Sequence, residues 1–315
     1  MNGSPPSELD TQIITKNLSF IYESAYKENR GEIDSLLKEK GPSFKDDPKL
    51  DKFKALNSID LSILKGKFIA MVGDTGSGKS TLVRTFNGLI PSFYRGIFFG
   101  YVNVLGKDTI QEKVSALSQH VGLVFQNPDN QLVAMTVERE IAFGLENLGM
   151  EQSQIREKLT QIMEYLKITH LKDRHPYDLS GGEKQRVAIA SILTLEPSVI
   201  ILDEPTATLD PQAAQSVLNL LKKLNEENKI TIIIIEHRLE VILPFCNEII
   251  VMNQGNVLEH GPTQQVLLSS SLQKTGVRIP EYIQMFLQLR EKAKYSGTIP
   301  TNIDQAVLKL KEWLN

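Results

Sequence analysis

The sequence contains a single cysteine, Cys246, among 315 residues. One cysteine cannot form an intramolecular disulfide or a cysteine-based metal cluster, and this usage is typical of a reducing compartment. The simplest interpretation of Cys246 is a small, buried apolar residue. The sequence therefore excludes the disulfide-rich scaffolds of small secreted proteins.

Long apolar runs are also missing. Runs such as residues 232–235 are far shorter than the roughly 20 apolar residues that cross a bilayer. The first residues, Met-Asn-Gly-Ser-Pro-Pro-Ser-Glu, lack the basic start and apolar core of a secretory signal. We therefore expect a cytosolic chain that reaches a membrane only through a partner.

The chain has no excess of positive charge. It carries 35 basic and 38 acidic residues, a formal net charge of −3, so no broad basic field favours nucleic acid, and we expect none as a partner. The hydrophobic content of 41% is ample for the core of one large domain or two modest ones.

A phosphate-binding loop is the first motif with a chemical meaning. Residues 73–80, Gly-Asp-Thr-Gly-Ser-Gly-Lys-Ser, fit the pattern G-x-x-x-x-G-K-[ST] between a predicted strand, 68–72, and a predicted helix, 80–89. Backbone N–H groups at such a helix N-terminus converge on phosphates. Lys79 is expected to contact the β and γ phosphates, and the Ser80 hydroxyl to bind Mg²⁺. The predicted nucleotide-binding residues here are Gly73, Asp74, Thr75, Gly76, Ser77, Gly78, Lys79, Ser80 and Thr81.

A second anion site is predicted at residues 179–186, Leu-Ser-Gly-Gly-Glu-Lys-Gln-Arg, where a serine-glycine-glycine turn opens a helix. The phosphate loop already supplies a complete cradle for one nucleotide. Two cradles in one chain suggest that the second serves another subunit.

Two adjacent carboxylates, Asp203 and Glu204, follow the apolar run Val-Ile-Ile-Leu. Alternation along a strand would point their side chains in different directions, which suits two tasks. We expect Asp203 to hold Mg²⁺, directly or through water, and Glu204 to act as general base toward the attacking water.

Gln126 and His237 each follow a predicted strand. The Gln126 amide can accept from water and donate to phosphate, or complete the magnesium shell, and the His237 imidazole can hydrogen-bond a γ-phosphate. Alone, either residue is more often a surface or structural residue. Their order relative to the other motifs favours the functional interpretation.

The periodicity of the chain predicts an α/β fold. Strands are predicted in 11–22, 55–72, 121–125, 199–202, 230–235 and 248–252, and helices at 79–89, 182–194 and 211–227. Right-handed crossovers would place those helices on the sheet faces. The predicted domains are a tail at 1–10, an ATPase domain at 11–275 with a helical subdomain at about 135–178, and a C-terminal helical region at 276–315.

Residues 23–54 interrupt the N-terminal β region with 16 charged side chains, eight of each sign. The segment is interpreted as a solvated insertion, most simply a loop, although Ile33, Leu36 and Leu37 would also suit one short helix.

The C-terminal region shows helical apolar spacing. Two helices that either cover the core or bind a protein partner are predicted from Ile283, Phe286 and Leu287, and from Ile303, Ala306, Val307, Leu310, Trp313 and Leu314.

The order of the motifs resembles the ATP-binding-cassette superfamily over roughly residues 12–265. That resemblance implies a P-loop NTPase core with an antiparallel β subdomain, and it implies ATP and Mg²⁺ as ligands. It further implies that Ser180 and Gly182 contact the γ-phosphate held by the opposite subunit, and that Asp210 couples the two sites. Tyr22 would stack on adenine, with Phe20 or a residue of the insertion as alternatives.

A narrower resemblance, to the ATPase subunits of energy-coupling-factor transporters, rests on residues 124–131, 142–147 and 275–280. It implies a peripheral subunit at the cytoplasmic face of the cell membrane that drives uptake of a vitamin or transition-metal ion through membrane partners. The implied partners are a second ATPase subunit, a paralogue rather than a copy, a transmembrane coupling subunit and a substrate-binding membrane subunit. The insertion and Glu236, which replaces a common threonine, depart from the family pattern. Alternatives are another ABC importer, a clamp on DNA or the ribosome, or a module that binds ATP without hydrolysis.

Overall fold

The computed structural model describes residues 10–40 and 47–314, although the side chains of Leu37, Glu39 and Lys40 lie outside this description. Most of the predicted tail at 1–10 therefore lies outside the described residues. The chain forms two compact units. The first comprises Met1–Lys65, Met71–Leu117 and His237–Asn315, and the second comprises Gly66–Ala70 and Ser118–Glu236.

The strands of the described residues are numbered in chain order. They are β1 (Thr11–Tyr22), β2 (Leu56–Leu64), β3 (Phe68–Gly73), β4 (Gly96–Val104), β5 (Lys107–Asp108), β6 (Val121–Val124), β7 (Val199–Asp203), β8 (Thr231–Ile235), β9 (Glu248–Asn253) and β10 (Asn256–Pro262).

The α-helices of the same residues are numbered likewise. They are α1 (Glu23–Glu28), α2 (Arg30–Lys40), α3 (Lys79–Phe86), α4 (Leu89–Ser92), α5 (Val114–Leu117), α6 (Val137–Asn147), α7 (Gln152–Tyr165), α8 (Gly181–Leu193), α9 (Pro211–Asn228), α10 (Leu239–Ile242), α11 (Thr263–Leu268), α12 (Glu281–Ala293) and α13 (Ile303–Leu314). None of the helices described here has the length and apolar character needed to cross a membrane.

The first unit contains an antiparallel sheet of order β2-β1-β4-β5. Ile13 in β1 lies opposite Ile63 on one side and Val104 on the other, and all three are buried. The antiparallel β subdomain expected from the sequence is therefore present. The same unit contains the hairpin of β9 and β10, with β9 beside the end of β3.

The second unit contains the parallel strands β6, β7 and β8, with β7 in the middle. Ile201 pairs with Leu123 on one side and Ile233 on the other, and the start of β3 adjoins β8 through the Ile232 N–H, which donates to Lys67 O at 2.8 Å. Parallel strands need long crossovers, and here α9 connects β7 to β8. Gly122 lets α8 approach β6, since a Cβ there would lie 2.0 Å from Ile192.

The interpretation of residues 23–54 as a loop is wrong for its described part, which forms α1, α2 and a short 3-10 helix, Pro48–Phe53. Ile33, Leu36 and Leu50 are buried with Ile21 of β1 in one apolar cluster. Most of the described charged side chains are exposed or half-buried, whereas Lys54 is buried and pairs with Asp51 at 2.9 Å. Leu37, the third residue of the alternative helix, has no described side chain.

The two C-terminal helices differ in burial. Helix α12 buries Ile283 and Phe286, so it covers the core of its unit. In α13 only Ala306 is buried among the described residues, and Ile303, Val307 and Leu314 are 67%, 47% and 71% exposed. Helix α13 thus presents an apolar stripe to solvent.

The packing of the insertion leads to a first prediction. Ile33→Ala should lower the free energy of unfolding by about 2 to 5 kcal/mol, because it removes a fully buried side chain and leaves a cavity. Lys38→Ala, an exposed change on the same helix, should shift it by less than about 0.5 kcal/mol. Urea unfolding measures both. Equal midpoints for the two variants would contradict the packed insertion.

Candidate functional site

The phosphate loop lies against two backbone segments of the first unit. Gly73 adopts φ +150°, and a Cβ there would lie 2.1 Å from the carbonyl oxygen of Met252. Gly78 adopts φ +101°, and its Cβ would lie 2.6 Å from the carbonyl oxygen of Ala55. Both contacts are shorter than any side chain allows, so glycine is required at each position.

Lys79 lies at the centre of the loop and is only 5% exposed. Its Nζ donates to the carbonyl oxygens of Gly73 and Asp74, each at 2.8 Å. The ammonium is thereby fixed where the loop curves and where α3 begins. Ser80, on the first turn of α3, is half-buried.

The Asp74 side chain points to the C-terminal part of the chain. Its Oδ1 accepts from the Gly276 N–H at 2.6 Å. Asp74 therefore offers its backbone, not its carboxylate, to a nucleotide. Thr75 and Gly76, at the tip of the loop, are exposed.

Tyr22 is the better of the two β1 aromatics for stacking. Its hydroxyl shares a hydrogen bond of 3.0 Å with Thr81 on α3, and the ring is half-buried. Phe20 is fully buried and meets Tyr22 edge-on at 4.9 Å, so its faces are not available to a base. The adenine-stacking role of Tyr22 stays a prediction.

In the second unit, β7 ends at Asp203, and Glu204 follows with φ +50°. The expected alternation along a strand is therefore not what separates these two side chains. A left-handed residue turns the chain sharply, and non-glycine residues adopt it at a cost of about 1–2 kcal/mol. The Glu204 N–H donates to the carbonyl oxygen of Ile235 at 3.0 Å, which ties this turn to β8.

Gln126 and Glu204 are brought together. The Gln126 Nε2 donates to Glu204 Oε2 at 2.7 Å, although 78 residues separate them along the chain. Parallel β6 and β7 place their carboxyl ends at the same sheet edge, so the residues that follow them meet there.

Ser180 is the N-cap of α8 and forms a capping box with Glu183. The Ser180 hydroxyl and N–H donate to Glu183 Oε2 at 2.7 and 2.8 Å. These two hydrogen bonds, mainly the one from the hydroxyl, lower the pKa of Glu183. The carboxylate therefore stays ionised at neutral pH. The capping contribution is present above the ordinary pKa and is lost as the pH falls through the lowered one.

Gly182 and Asp210 lie at two helix starts that pack together. A Cβ on Gly182 would lie 3.2 Å from the Cβ of Ala213, in the first turn of α9. The Asp210 carboxylate caps that helix, accepting from the Ala213 N–H at 2.9 Å. His237 lies two residues beyond β8 and is half-buried. The functional roles of these three residues stay predictions.

Sequence reasoning missed two polar contacts of the second unit. Lys184 of α8 pairs with Asp129 at 2.7 Å, which joins the predicted second anion site, 179–186, to the segment after Gln126. Thr206 donates from its hydroxyl to Glu236, and both are buried. A visible signal was the carboxylate of Glu236 directly after the run of four isoleucines that ends β8.

The residues present suit a magnesium-bound nucleoside triphosphate. Gly78 has no side chain with which to cap α3, so the first N–H groups of that helix are offered to an anion. The open tip at Gly76, where a Cβ would meet nothing within 4 Å, gives a ligand access. In the first unit the Ser80 hydroxyl offers an oxygen of the kind that Mg²⁺ prefers, and in the second unit Gln126 and Asp203 offer amide and carboxylate oxygens.

Comparison with known proteins identifies the family. The family model described as "ABC transporter" matches residues 56–207. A putative ABC transporter ATP-binding protein of Pyrococcus horikoshii is 42% identical over 258 residues, 82% of this chain and 90% of that protein. The chain belongs to the ABC transporter family. It is an ABC-type ATPase, in which ATP hydrolysis is coupled to transport.

Two further matches indicate which group of ABC ATPases this chain resembles. The energy-coupling factor transporter ATP-binding protein EcfA of Pediococcus pentosaceus is 38% identical over 83% of this chain and 90% of its own length. The structure of cbiO1 from Clostridium perfringens, part of the ABC transporter complex cbiONQ, matches with a TM-score of 0.67 and 30% identity. It covers 88% of this chain and 99% of that one. The expected resemblance to energy-coupling-factor ATPases is confirmed.

The close approach at the phosphate loop of this ABC ATPase gives a second prediction. Gly78→Ala should weaken ATP binding at least about tenfold, because the added Cβ forces the loop away from Ala55. Gly106→Ala is the matched control, with φ +82° and nothing within 4 Å of the added Cβ. It should lower stability by about 1–2 kcal/mol and leave ATP affinity unchanged.

Equilibrium titration with a fluorescent ATP analogue measures the affinity, and thermal unfolding measures the stability. Equal ATP affinities for Gly78→Ala and Gly106→Ala would contradict the assignment of this loop.

Proposed function

We propose that this ABC ATPase is the ATP-hydrolysing subunit of an energy-coupling-factor transporter that imports a vitamin or a transition-metal ion. One observation carries the hydrolytic part: the Glu204 carboxylate at a strained turn after β7, in contact with Gln126 at 2.7 Å. The 38% identity to EcfA supports the transporter class.

Glu204 is the general base of the proposed reaction. It accepts a proton from water as the water oxygen bonds to the γ-phosphorus, while the bond from that phosphorus to the bridging oxygen of ADP breaks. The Gln126 amide fixes the carboxylate and orients the water. Positioning and electrostatics supply most of the acceleration.

The phosphate loop and β1 hold the nucleotide. Backbone N–H groups of residues 73–81 and the Lys79 ammonium bind the phosphates, Tyr22 stacks on the base, and His237 hydrogen-bonds the γ-phosphate. Ser80, Asp203 and Gln126 would hold Mg²⁺, directly or through water. When bound, Mg²⁺ neutralises charge on the phosphates.

The proposed catalytic site is shared between two ATPase subunits. Ser180 and Gly182 serve the nucleotide of the partner, and Asp210 couples the two sites. The Ser180 hydroxyl has one proton, which it donates to Glu183 at 2.7 Å, so contact with a phosphate requires the hydroxyl to rotate. The chain alone should therefore be a poor ATPase.

An exposed apolar surface in the second unit suits a membrane subunit. Val133, Met135 and Phe143 are 71%, 67% and 52% exposed. The loop that carries the first two is fixed, because Glu140 Oε2 accepts from the N–H groups of Val133 and Ala134 at 2.8 and 2.7 Å. Rigid exposed apolar side chains favour a protein interface. Through this surface the ATPase would lie at the cytoplasmic face of the membrane.

The apolar stripe of α13 suits the second ATPase subunit, and the resemblance favours a paralogue there. Ile303, Val307 and Leu314 project from one side of the helix. Pairing through α13 would hold two ATPases together between rounds of ATP binding.

The third prediction tests the hydrolytic part. Glu204→Gln should bind ATP normally but hydrolyse it about 10² to 10⁴ times more slowly, because the amide cannot accept the proton. Glu226→Gln, an exposed carboxylate of α9, should hydrolyse ATP at the normal rate. Phosphate release from the assembled transporter measures both. Normal turnover by Glu204→Gln would overturn the assignment.

The fourth prediction tests the partners. The tagged chain, purified from detergent-solubilised native membranes, should bring down a second ATPase and membrane subunits. Met135→Asp should lose the membrane subunits and keep the ATPase, whereas Val307→Asp should weaken the ATPase pairing, because each change places a charge in an apolar interface.

Quantified subunit ratios decide between the outcomes, and each variant is the control for the other. Unchanged ratios in both variants would contradict the two surfaces. The absence of membrane subunits from the wild-type preparation would contradict the transporter assignment itself.

A further inference from the structure

A buried hydrogen bond lies next to the proposed catalytic carboxylate. Thr206 is fully buried, Glu236 is 3% exposed, and the Thr206 hydroxyl donates to Glu236 Oε2. Burying a carboxylate is unfavourable unless hydrogen bonds compensate. A buried glutamate directly after β8 therefore indicates a specific structural or functional role.

The contact is one of several hydrogen bonds that hold the turn after β7. Ile235, the last residue of β8, accepts the Glu204 N–H at 3.0 Å, and the next residue, Glu236, accepts the Thr206 hydroxyl. Two consecutive residues of one strand end therefore fix the beginning and the end of the segment 204–206. Pro205 between them is buried and has a fixed φ.

Glu204 depends on such support because its φ of +50° is unfavourable for a residue with a side chain. Strained backbone persists only where the surroundings determine it. Within the turn, the Ala207 N–H donates to the Glu204 carbonyl oxygen at 3.2 Å, but this bond does not attach the turn to β8. The hydrogen bond from Thr206 to Glu236 attaches the far end of the turn to the residue that follows β8.

We infer that Glu236 is a positioning residue for ATP hydrolysis. By holding Thr206, it keeps Glu204 in the left-handed conformation that directs its carboxylate toward Gln126 and the attacking water. The inference rests on the proposed role of Glu204 as general base. It predicts that loss of this hydrogen bond slows hydrolysis and leaves ATP binding intact.

The fifth prediction concerns Thr206→Val, which keeps the shape of the side chain and removes the hydroxyl. In the assembled transporter, kcat should fall about 10- to 100-fold, as expected for a lost hydrogen bond to a charged group. KM for ATP should change less than about twofold, because the nucleotide cradle is untouched. Thr206→Ser, which retains the hydroxyl, should restore kcat.

A paired substitution separates positioning from stability. Thr206→Val alone leaves the Glu236 carboxylate buried without this donor, which also lowers stability. Thr206→Val with Glu236→Leu makes both partners apolar and should recover the unfolding midpoint. Positioning predicts that kcat stays low in this stable double variant. Recovery of kcat with the midpoint would overturn the inference.

A second background tests whether the effect passes through Glu204. In Glu204→Gln, the added change Thr206→Val should slow hydrolysis by less than about twofold, since the group being positioned is already inactive. A further loss as large as in the wild type would overturn the inference. Normal turnover of Glu204→Gln alone would instead overturn the general-base assignment, so the two failures are distinguishable.

The matched control is Thr194→Val. Thr194 is also buried in the second unit, and its hydroxyl donates to Ser191 O at 2.9 Å. This change should lower the unfolding midpoint and leave kcat within about twofold of the wild type. A fall in kcat as large as that of Thr206→Val would show a general loss of stability and overturn the inference.

Discussion

The structure of the phosphate loop depends on two close contacts with neighbouring backbone carbonyls, which leave no room for a side chain. The carbonyl oxygen of Met252 lies where a Cβ of Gly73 would be, and that of Ala55 lies where a Cβ of Gly78 would be. The two carbonyls come from the end of β9 and the residue before β2. Because both ends of the loop are fixed in this way, the positive φ angles between them are set by packing, and the N–H groups of the loop are oriented before any ligand binds.

In the second unit as well, backbone groups at the end of one strand position a functional side chain that follows another strand. The turn at Glu204 is fixed by the end of β8, and its carboxylate meets an amide that follows β6. Functional side chains accumulate at the carboxyl ends of parallel strands, because the backbone leaves the sheet there and side chains are free to converge. Ser180 and Asp210 use the other such place, a helix N-terminus, where N–H groups have no partner within the helix.

Much of this could be predicted from the sequence, because the informative motifs are local. The buried strands are short apolar runs such as that of β8, and the phosphate loop and the Ser180 turn have spacings with a mechanism. What could not be predicted involves distant pairs. The hydrogen bonds from Gln126 to Glu204 and from the Gly276 N–H to Asp74 join residues 78 and 202 positions apart, and no local pattern specifies them.

The error over residues 23–54 has a physical cause of another kind. Charge density predicted solvent exposure, and the outer faces of the helices are indeed solvated. Ile33, Leu36 and Leu50 bury a face against Ile21, and Ala25, Tyr26 and Phe53 of the same segment pack around them. Composition averages over both faces of a helix, so it conceals a narrow apolar stripe that packs on a sheet.

The insertion leaves and re-enters the sheet at nearly the same point. Phe20 of β1 lies opposite Leu56 of β2, and Phe20 O accepts from the Ala55 N–H at 2.8 Å, so the β pairing closes directly beneath the extra helices. Closing a longer loop at such a junction adds little entropy cost, because that cost grows only with the logarithm of loop length. The connection between β1 and β2 is therefore a site where the chain tolerates an insertion. A segment of another length could connect the two strands there without a change in the strand register beneath it.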